Sequence, residues 1–168
     1  MSFEEFSRYI AAYELSGVDP DAQPSEALRA RIRGAAMIFA SDAPRVSDTL
    51  ARMDVTADTL DPAFREAPPI APKLPLLLPA IGWLALARAR GEVSPTLREA
   101  RAALVRRAES CAMRLAAASD KGDVALIGHG WFNRYVAQAL IAQGWRNSKG
   151  PGFRSPWGFL CLQQASHR

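Results

Sequence analysis

Two short stretches of this sequence place similar residue types in the same local order. Phe39-Ala40-Ser41-Asp42-Ala43-Pro44-Arg45 and Ile127-Gly128-His129-Gly130-Trp131 each run from an apolar segment, through a tight polar turn, into a segment with helical periodicity. A helix N-terminus presents free N–H groups and about half a positive charge, which favours an anion. Arg45 adds a planar guanidinium that can grip phosphate with two parallel hydrogen bonds. His129 adds an imidazole able to donate a hydrogen bond or act as acid or base near neutral pH.

Taken one at a time, each residue also has an ordinary structural use. A histidine between two glycines at a strand end packs or caps, and an arginine in a first helical turn is commonly solvated. Asp42 and Ser41 suit the cap of the helix that follows. Glu66, in Phe64-Arg65-Glu66-Ala67-Pro68, is by itself a loop carboxylate, and His167 lies so near the end of the chain that it is read as incidental.

The elements that must position these residues follow from the apolar pattern. Phe3, Phe6, Ile10 and Tyr13 recur at three- and four-residue steps and predict an opening helix that Gly17 and Pro20 end. Ser25 to Gly34 predicts a second, weaker helix with Leu28 and Ile32 facing inward. Ala36 to Ala40 is a short apolar run, read as a buried strand, and a helix is expected from Pro44 to Met53. Pro62, Pro68, Pro69, Pro72, Pro75 and Pro79 are six of the twelve prolines and predict a stiff, extended loop. Helix is expected again over Leu76 to Arg90 and over Pro95 to Ala118. In the latter, Leu97, Ala100, Leu104, Ala108, Cys111 and Leu115 line one face, while Arg98, Arg101, Arg106, Arg107 and Arg114 read as a solvated one. Asp123 to Ile127 is the clearest buried strand, followed by a helix through Phe132, Tyr135, Val136, Ala139 and Leu140. Trp157 to Leu162 reads as a last strand. Strands alternating with helices indicate an α/β fold with a mostly parallel sheet and helices on both faces. In such sheets ligands gather at the carboxyl ends of the strands, where Ser41 and His129 fall.

Composition narrows the function classes. The 168 residues are 49% hydrophobic and 23% charged, an ordinary globular balance for one domain. A net charge of +4 suits an anionic ligand, but the arginines are spread along the chain, and no nucleic-acid motif or base-stacking aromatic cluster accompanies them. The greasiest run, Leu74 to Ala87, is interrupted by Pro75 and Pro79 and is too short for a membrane span. Met1 to Tyr13 lacks the apolar stretch of a secretory signal. Cys111 and Cys161 stand far apart in no metal-ligand spacing, and are read as reduced thiols of a cytoplasmic protein.

The order of the pieces is more specific than any one of them. A strand, then Ser41-Asp42-x-Pro-Arg45-x-x-x-Thr49, then Phe64-Arg65-Glu66, then Ala125-Leu126-Ile127-Gly128-His129-Gly130-Trp131-Phe132-Asn133-Arg134 resembles the histidine phosphatase superfamily, the phosphoglycerate-mutase-like fold. The resemblance spans about Met37 to Gly144. It implies phosphoryl transfer from a phosphomonoester through a phosphohistidine, with one histidine attacking phosphorus and a second histidine and two arginines holding the phosphate oxygens. By position, Arg45 corresponds to a clamp arginine, His129 with Gly130 to the second histidine motif, and Glu66 to the acid that protonates the leaving alcohol.

One motif of that family does not occur. Its leading, central strand ends in Arg-His-Gly and supplies the nucleophile, whereas this chain opens on a helix and has only His129 and His167. The expectation is therefore a single histidine-phosphatase-like domain over 1–168, N-terminally truncated and inactive as written. The alternative is a non-catalytic relative that keeps the anion pocket as an interaction module. The expected ligand is a small phosphorylated molecule or inorganic phosphate, with no nucleic acid, no membrane, no metal and no organic cofactor.

Overall fold

Residues 1–149, 152 and 157–164 are described by the computed structural model of the chain. Among these residues six α-helices and five strands follow one another as α1 (Phe3–Leu15), α2 (Glu26–Arg33), β1 (Met37–Ala40), α3 (Pro44–Met53), β2 (Thr59–Leu60), α4 (Ala80–Val93), α5 (Arg98–Ala118), β3 (Val124–Ile127), α6 (Gly130–Ala142), β4 (Trp145–Lys149) and β5 (Cys161–Gln164). The chain is a mixed α/β protein that divides into two compact units, one of Met1–Ser16 with Ala67–Arg106, the other of Gly17–Glu66 with Arg107–Arg168.

In the first unit the apolar face of α1 meets α4. Trp83 is fully buried, stacked on Phe6 at 5.8 Å and edge-on to Phe3 at 6.1 Å, and its indole N–H donates to the Met1 carbonyl at 2.9 Å. That bond satisfies the one polar group such a ring must bury. A capping box starts α1, in which the Ser2 hydroxyl accepts from the Glu5 N–H while the Glu5 carboxylate accepts from the Ser2 N–H. Helix α4 starts at Ala80 rather than at the expected Leu76. Pro79, extended at φ −65° and ψ 158°, occupies the N-cap, and a proline disfavours helix in the residue before it.

The second unit carries the sheet. Strand β1 lies in the middle, parallel to β2 on one side and to β3 on the other, in the order β2-β1-β3. The β1–β3 register pairs Met37 with Val124 and Ala40 with Ile127, so the two strands end side by side. Ile38, Ala40, Ala125 and Ile127 form a core cluster with Ala43, Val46 and Leu50 at the start and inner face of α3. Gly122, at φ 134°, leads into β3, and a Cβ there would come within 2.9 Å of the Ala36 side chain, so only glycine fits.

Strands β4 and β5 form a separate antiparallel pair. The sequence pattern misses β4, whose Arg146, Asn147 and Ser148 show no apolar alternation. It also places β5 too early. Trp157 has a left-handed backbone at φ 60°, which no strand accommodates, and pairing begins only at Cys161. The second edge of β3 pairs with no strand among the described residues.

Candidate functional site

Because β1 and β3 end side by side, the turns that follow them are neighbours. The Ser41 N–H donates to the Ile127 carbonyl at 3.1 Å, extending the ladder one step beyond β1. That step places the Ser41 hydroxyl beside His129, the residue that precedes α6. Both side chains are buried, Ser41 completely and His129 to 6% exposure. Gly128 permits the tight approach, since a Cβ there would lie 3.0 Å from the Asn133 side-chain oxygen.

His129 uses both ring nitrogens. Arg45, in the first turn of α3, donates from Nε to His129 Nδ1 at 3.2 Å. A guanidinium has only donors, so Nδ1 carries the lone pair and the ring proton resides on Nε2. Nε2 then donates to Ser41 Oγ at 3.0 Å. The Ser41 oxygen also accepts from the Ala43 N–H at 3.3 Å. Burial, foremost, and then the Arg45 and Arg107 guanidinia push the His129 pKa down to about 4. The imidazole is therefore neutral at physiological pH.

Glu66 lies at the start of the helix that His129 precedes. Its Oε1 accepts from the Phe132 N–H at 2.8 Å and its Oε2 from the Trp131 N–H at 3.3 Å. The positive end of α6, reached through Gly130, is thus engaged by the chain's own carboxylate. Several contacts hold Glu66 there. Asp61 accepts from the Ala63 N–H and from Arg114, both at 2.7 Å, and so fixes the short 3-10 turn Pro62–Phe64. Phe64 is fully buried, edge-on to Phe39 at 5.8 Å. Arg65 then forms a two-bonded pair with Asp42, Nε to Oδ1 at 2.6 Å and Nη2 to Oδ2 at 2.7 Å. The Arg65 hydrogen bond, first of all, keeps the Asp42 carboxyl below its ordinary pKa.

The structure thus brings Arg45 and His129 into contact and sets Glu66 on the first turn after His129 and Gly130. Other expectations need correction. Neither Ser41 nor Asp42 caps α3; Ala43 is the N-cap and makes no side-chain cap bond. Ser41 serves His129 instead, and Asp42 serves Arg65. Arg107 and Arg114 do not belong to a solvated face. Arg107 donates to the Arg65 carbonyl at 3.1 Å, with its guanidinium carbon 4.1 Å over the Phe132 ring, and Arg114 pairs with Asp61 while lying over Phe64 at 5.2 Å. Both flank Cys111 on α5 at helical spacings, a shoulder position between the buried stripe and solvent that could have marked them. His167 lies outside the described residues.

Among the described residues no group of His, Cys, Asp and Glu could hold a metal ion. No helix among them is long and apolar enough to cross a membrane. Cys111 is buried, and burial pushes its thiol pKa up, as expected of an inert core cysteine.

No family model and no curated protein matches the chain. Two solved structures do. The product of open reading frame Rv3214 of Mycobacterium tuberculosis is 17% identical with a TM-score of 0.46, over 76% of this chain and 71% of that one. A protein named mycobacterial hydrolase 1 is 16% identical with a TM-score of 0.42, over 93% of both chains. Scores this low carry no argument about this chain's chemistry.

Proposed function

We propose that Arg45, His129 and Ser41 belong to an oxyanion site whose ligand is inorganic phosphate or the phosphate of a small phosphorylated molecule. We further propose that the 168 residues bind this ligand without turning it over. The carrying observation is the Arg45–His129 bond. It positions a guanidinium at the joint ends of β1 and β3, and it uses the lone pair that His129 would need to attack phosphorus. A neutral imidazole held this way orients Arg45 and does not act as nucleophile. Glu66, with both oxygens accepting from α6, serves in the same reading as the cap of that helix.

A second reading has one observation in its favour. Arg45, His129 and Glu66, which the family resemblance pairs with clamp, second histidine and acid, come from three separate segments and meet in one place. On this reading the chain is part of a phosphomonoester hydrolase of the phosphohistidine type. A further histidine would attack phosphorus, the ester oxygen would leave with a proton from Glu66, and water would then release phosphate from the imidazole. One edge of β3 pairs with no strand among the described residues, which supports this reading, because an additional strand ending in Arg-His-Gly would have a place to pair.

Two measurements test the proposal and separate the readings. Phosphate or vanadate is expected to raise the melting temperature of the wild type and to raise that of Arg45→Ala much less. An aryl phosphate incubated with the chain in EDTA is expected to remain intact. Turnover that disappears in His129→Ala would overturn the non-catalytic reading in favour of the hydrolase. The absence of any shift with either anion would remove the oxyanion site itself.

A further inference from the structure

We infer that the outward face of α4 is a self-association surface, and that its partner is the α4 of a second copy of this chain. The surface is independent of the oxyanion site.

Most of the exposed apolar surface is concentrated in one unit. Of thirteen large apolar side chains exposed among the described residues, ten belong to the first unit, which holds a third of the chain. Helix α4 carries part of that surface because its sequence is apolar on more than one side. Trp83 and Ala87 face inward and are buried. Ile81, Ala85, Ala89 and Val93, four residues apart, form a row along the outside. Ile81 is 72% exposed and Val93 78%; Leu77, four residues ahead of Ile81, is 81% exposed. A helix face turned to water ordinarily carries charged or polar residues instead.

The area is that of an interface. These five side chains leave on the order of 500 Å² of apolar surface outside, a patch of the size that marks an interaction site. A stable interface covers about 800 Å² per partner, roughly three-fifths of it apolar. The row therefore supplies about what one side of a dimer needs. Glu92, which flanks it, brings no unpaired carboxylate, since it is bonded to Arg101 at 2.8 Å.

The order of side-chain sizes identifies the partner. Two helices packed through rows of four-residue spacing cross at about −50°. Their axes are closest at the crossing and diverge towards both ends. Ala85 and Ala89 suit the close approach, and the larger Ile81 and Val93 suit the widening gaps. The row also has the same sequence of sizes from either end, large-small-small-large. A two-fold axis midway along it would set Ala85 of one copy against Ala89 of the other, and Ile81 against Val93. Such self-complementarity is what a two-fold dimer requires.

Sedimentation velocity over a concentration series tests this, with wild type, Ala85→Glu, Ile81→Glu and, as a control at an exposed apolar position on α6, Ile141→Glu. Far-UV circular dichroism identifies any variant that fails to fold. The wild type is expected to dimerise. Ala85→Glu and Ile81→Glu are each expected to raise the dimer dissociation constant about 100-fold or more, because each buries two unpaired carboxylates per dimer. Ile141→Glu is expected to leave it unchanged. A wild type that stays monomeric at about 100 μM, far above the dissociation constant of a stable dimer, would overturn the inference. Association that persists equally in folded Ala85→Glu and Ile81→Glu would also overturn it and place the contact elsewhere, such as the edge of β3. Vesicles of anionic lipid provide the second arm. A wild type that sediments with them as a monomer, and fails to do so as Ile81→Glu, would assign the face to a membrane surface and overturn the second-copy reading.

Discussion

Arg45 donates a hydrogen bond to His129 across 3.2 Å, and only a neutral imidazole can accept it. The two residues are far apart in sequence, and the bond exists because β1 and β3 run parallel, in register and end together. One interaction therefore ties the tautomer of His129, the direction of Arg45 and the closure of the sheet into a single unit.

Acid is expected to break that unit. The His129 pKa is about 4 in the fold against an ordinary 6.5, so below 6.5 the unfolded chain takes up the proton first. Stability from this residue is complete above about pH 6.5 and is lost as pH falls towards 4. At about 1.36 kcal/mol per pKa unit, the loss reaches roughly 3 kcal/mol. Urea unfolding from pH 7.5 to 4.5 measures it. In His129→Gln, whose amide can accept from Arg45 and donate to Ser41 without titrating, the slope is expected to flatten. Wild-type stability that does not change over this range would contradict a buried, neutral His129. Asp42 and Asp61, whose pKa values are lowered, add their losses only below the usual carboxylate range.

Glu66→Ala is expected to lower stability and strengthen anion binding together. It removes a carboxylate cap and frees the Trp131 and Phe132 N–H groups, which costs about 1 kcal/mol. It also removes a negative charge from beside the site. Unfolding and phosphate titration on the same preparation check both signs. Weakened phosphate binding in the folded variant would assign Glu66 a direct part in holding or protonating the ligand.

Asp61 separates a cap from an ion pair. Asp61→Asn keeps an oxygen for the Ala63 N–H and loses the charge opposite Arg114. With both side chains about a third exposed, that change is expected to cost at most about 1 kcal/mol. Asp61→Ala loses both contacts and is expected to cost about 1–2 kcal/mol. Equal effects in urea unfolding would show that the cap contributes nothing.

Unpaired strand edges recruit other strands. Since the second edge of β3 pairs with no strand among the described residues, the chain is expected to self-associate or to be poorly soluble as concentration rises. Sedimentation velocity over a concentration series measures this. A monomer that stays monodisperse and melts sharply would count against an incomplete sheet.

How much of this was legible in the sequence depended on which force set each feature. Helix α3 matches its expected span of Pro44 to Met53, because proline at the first position and the apolar spacing of Val46, Leu50 and Met53 are local signals. Strands β1 and β3 were readable as apolar runs bounded by polar turns. Strand β4 was not, because its residues are polar and pair only through β5. The pairing of Ser41 with His129 depends on strand register, which no local pattern encodes, so Ser41 looked like a cap. Arg107 looked solvated because its contacts, Phe132 and Arg65, come from other segments.

NMR can follow the imidazole of His129 while phosphate is added. The chain has only two histidines, so His129→Gln assigns the signal. A saturable shift of the His129 resonance is expected in the wild type at constant pH. Arg45→Ala is expected to abolish that shift. A His129 signal unmoved by saturating phosphate, or moved equally in Arg45→Ala, would contradict an oxyanion site built on these two residues.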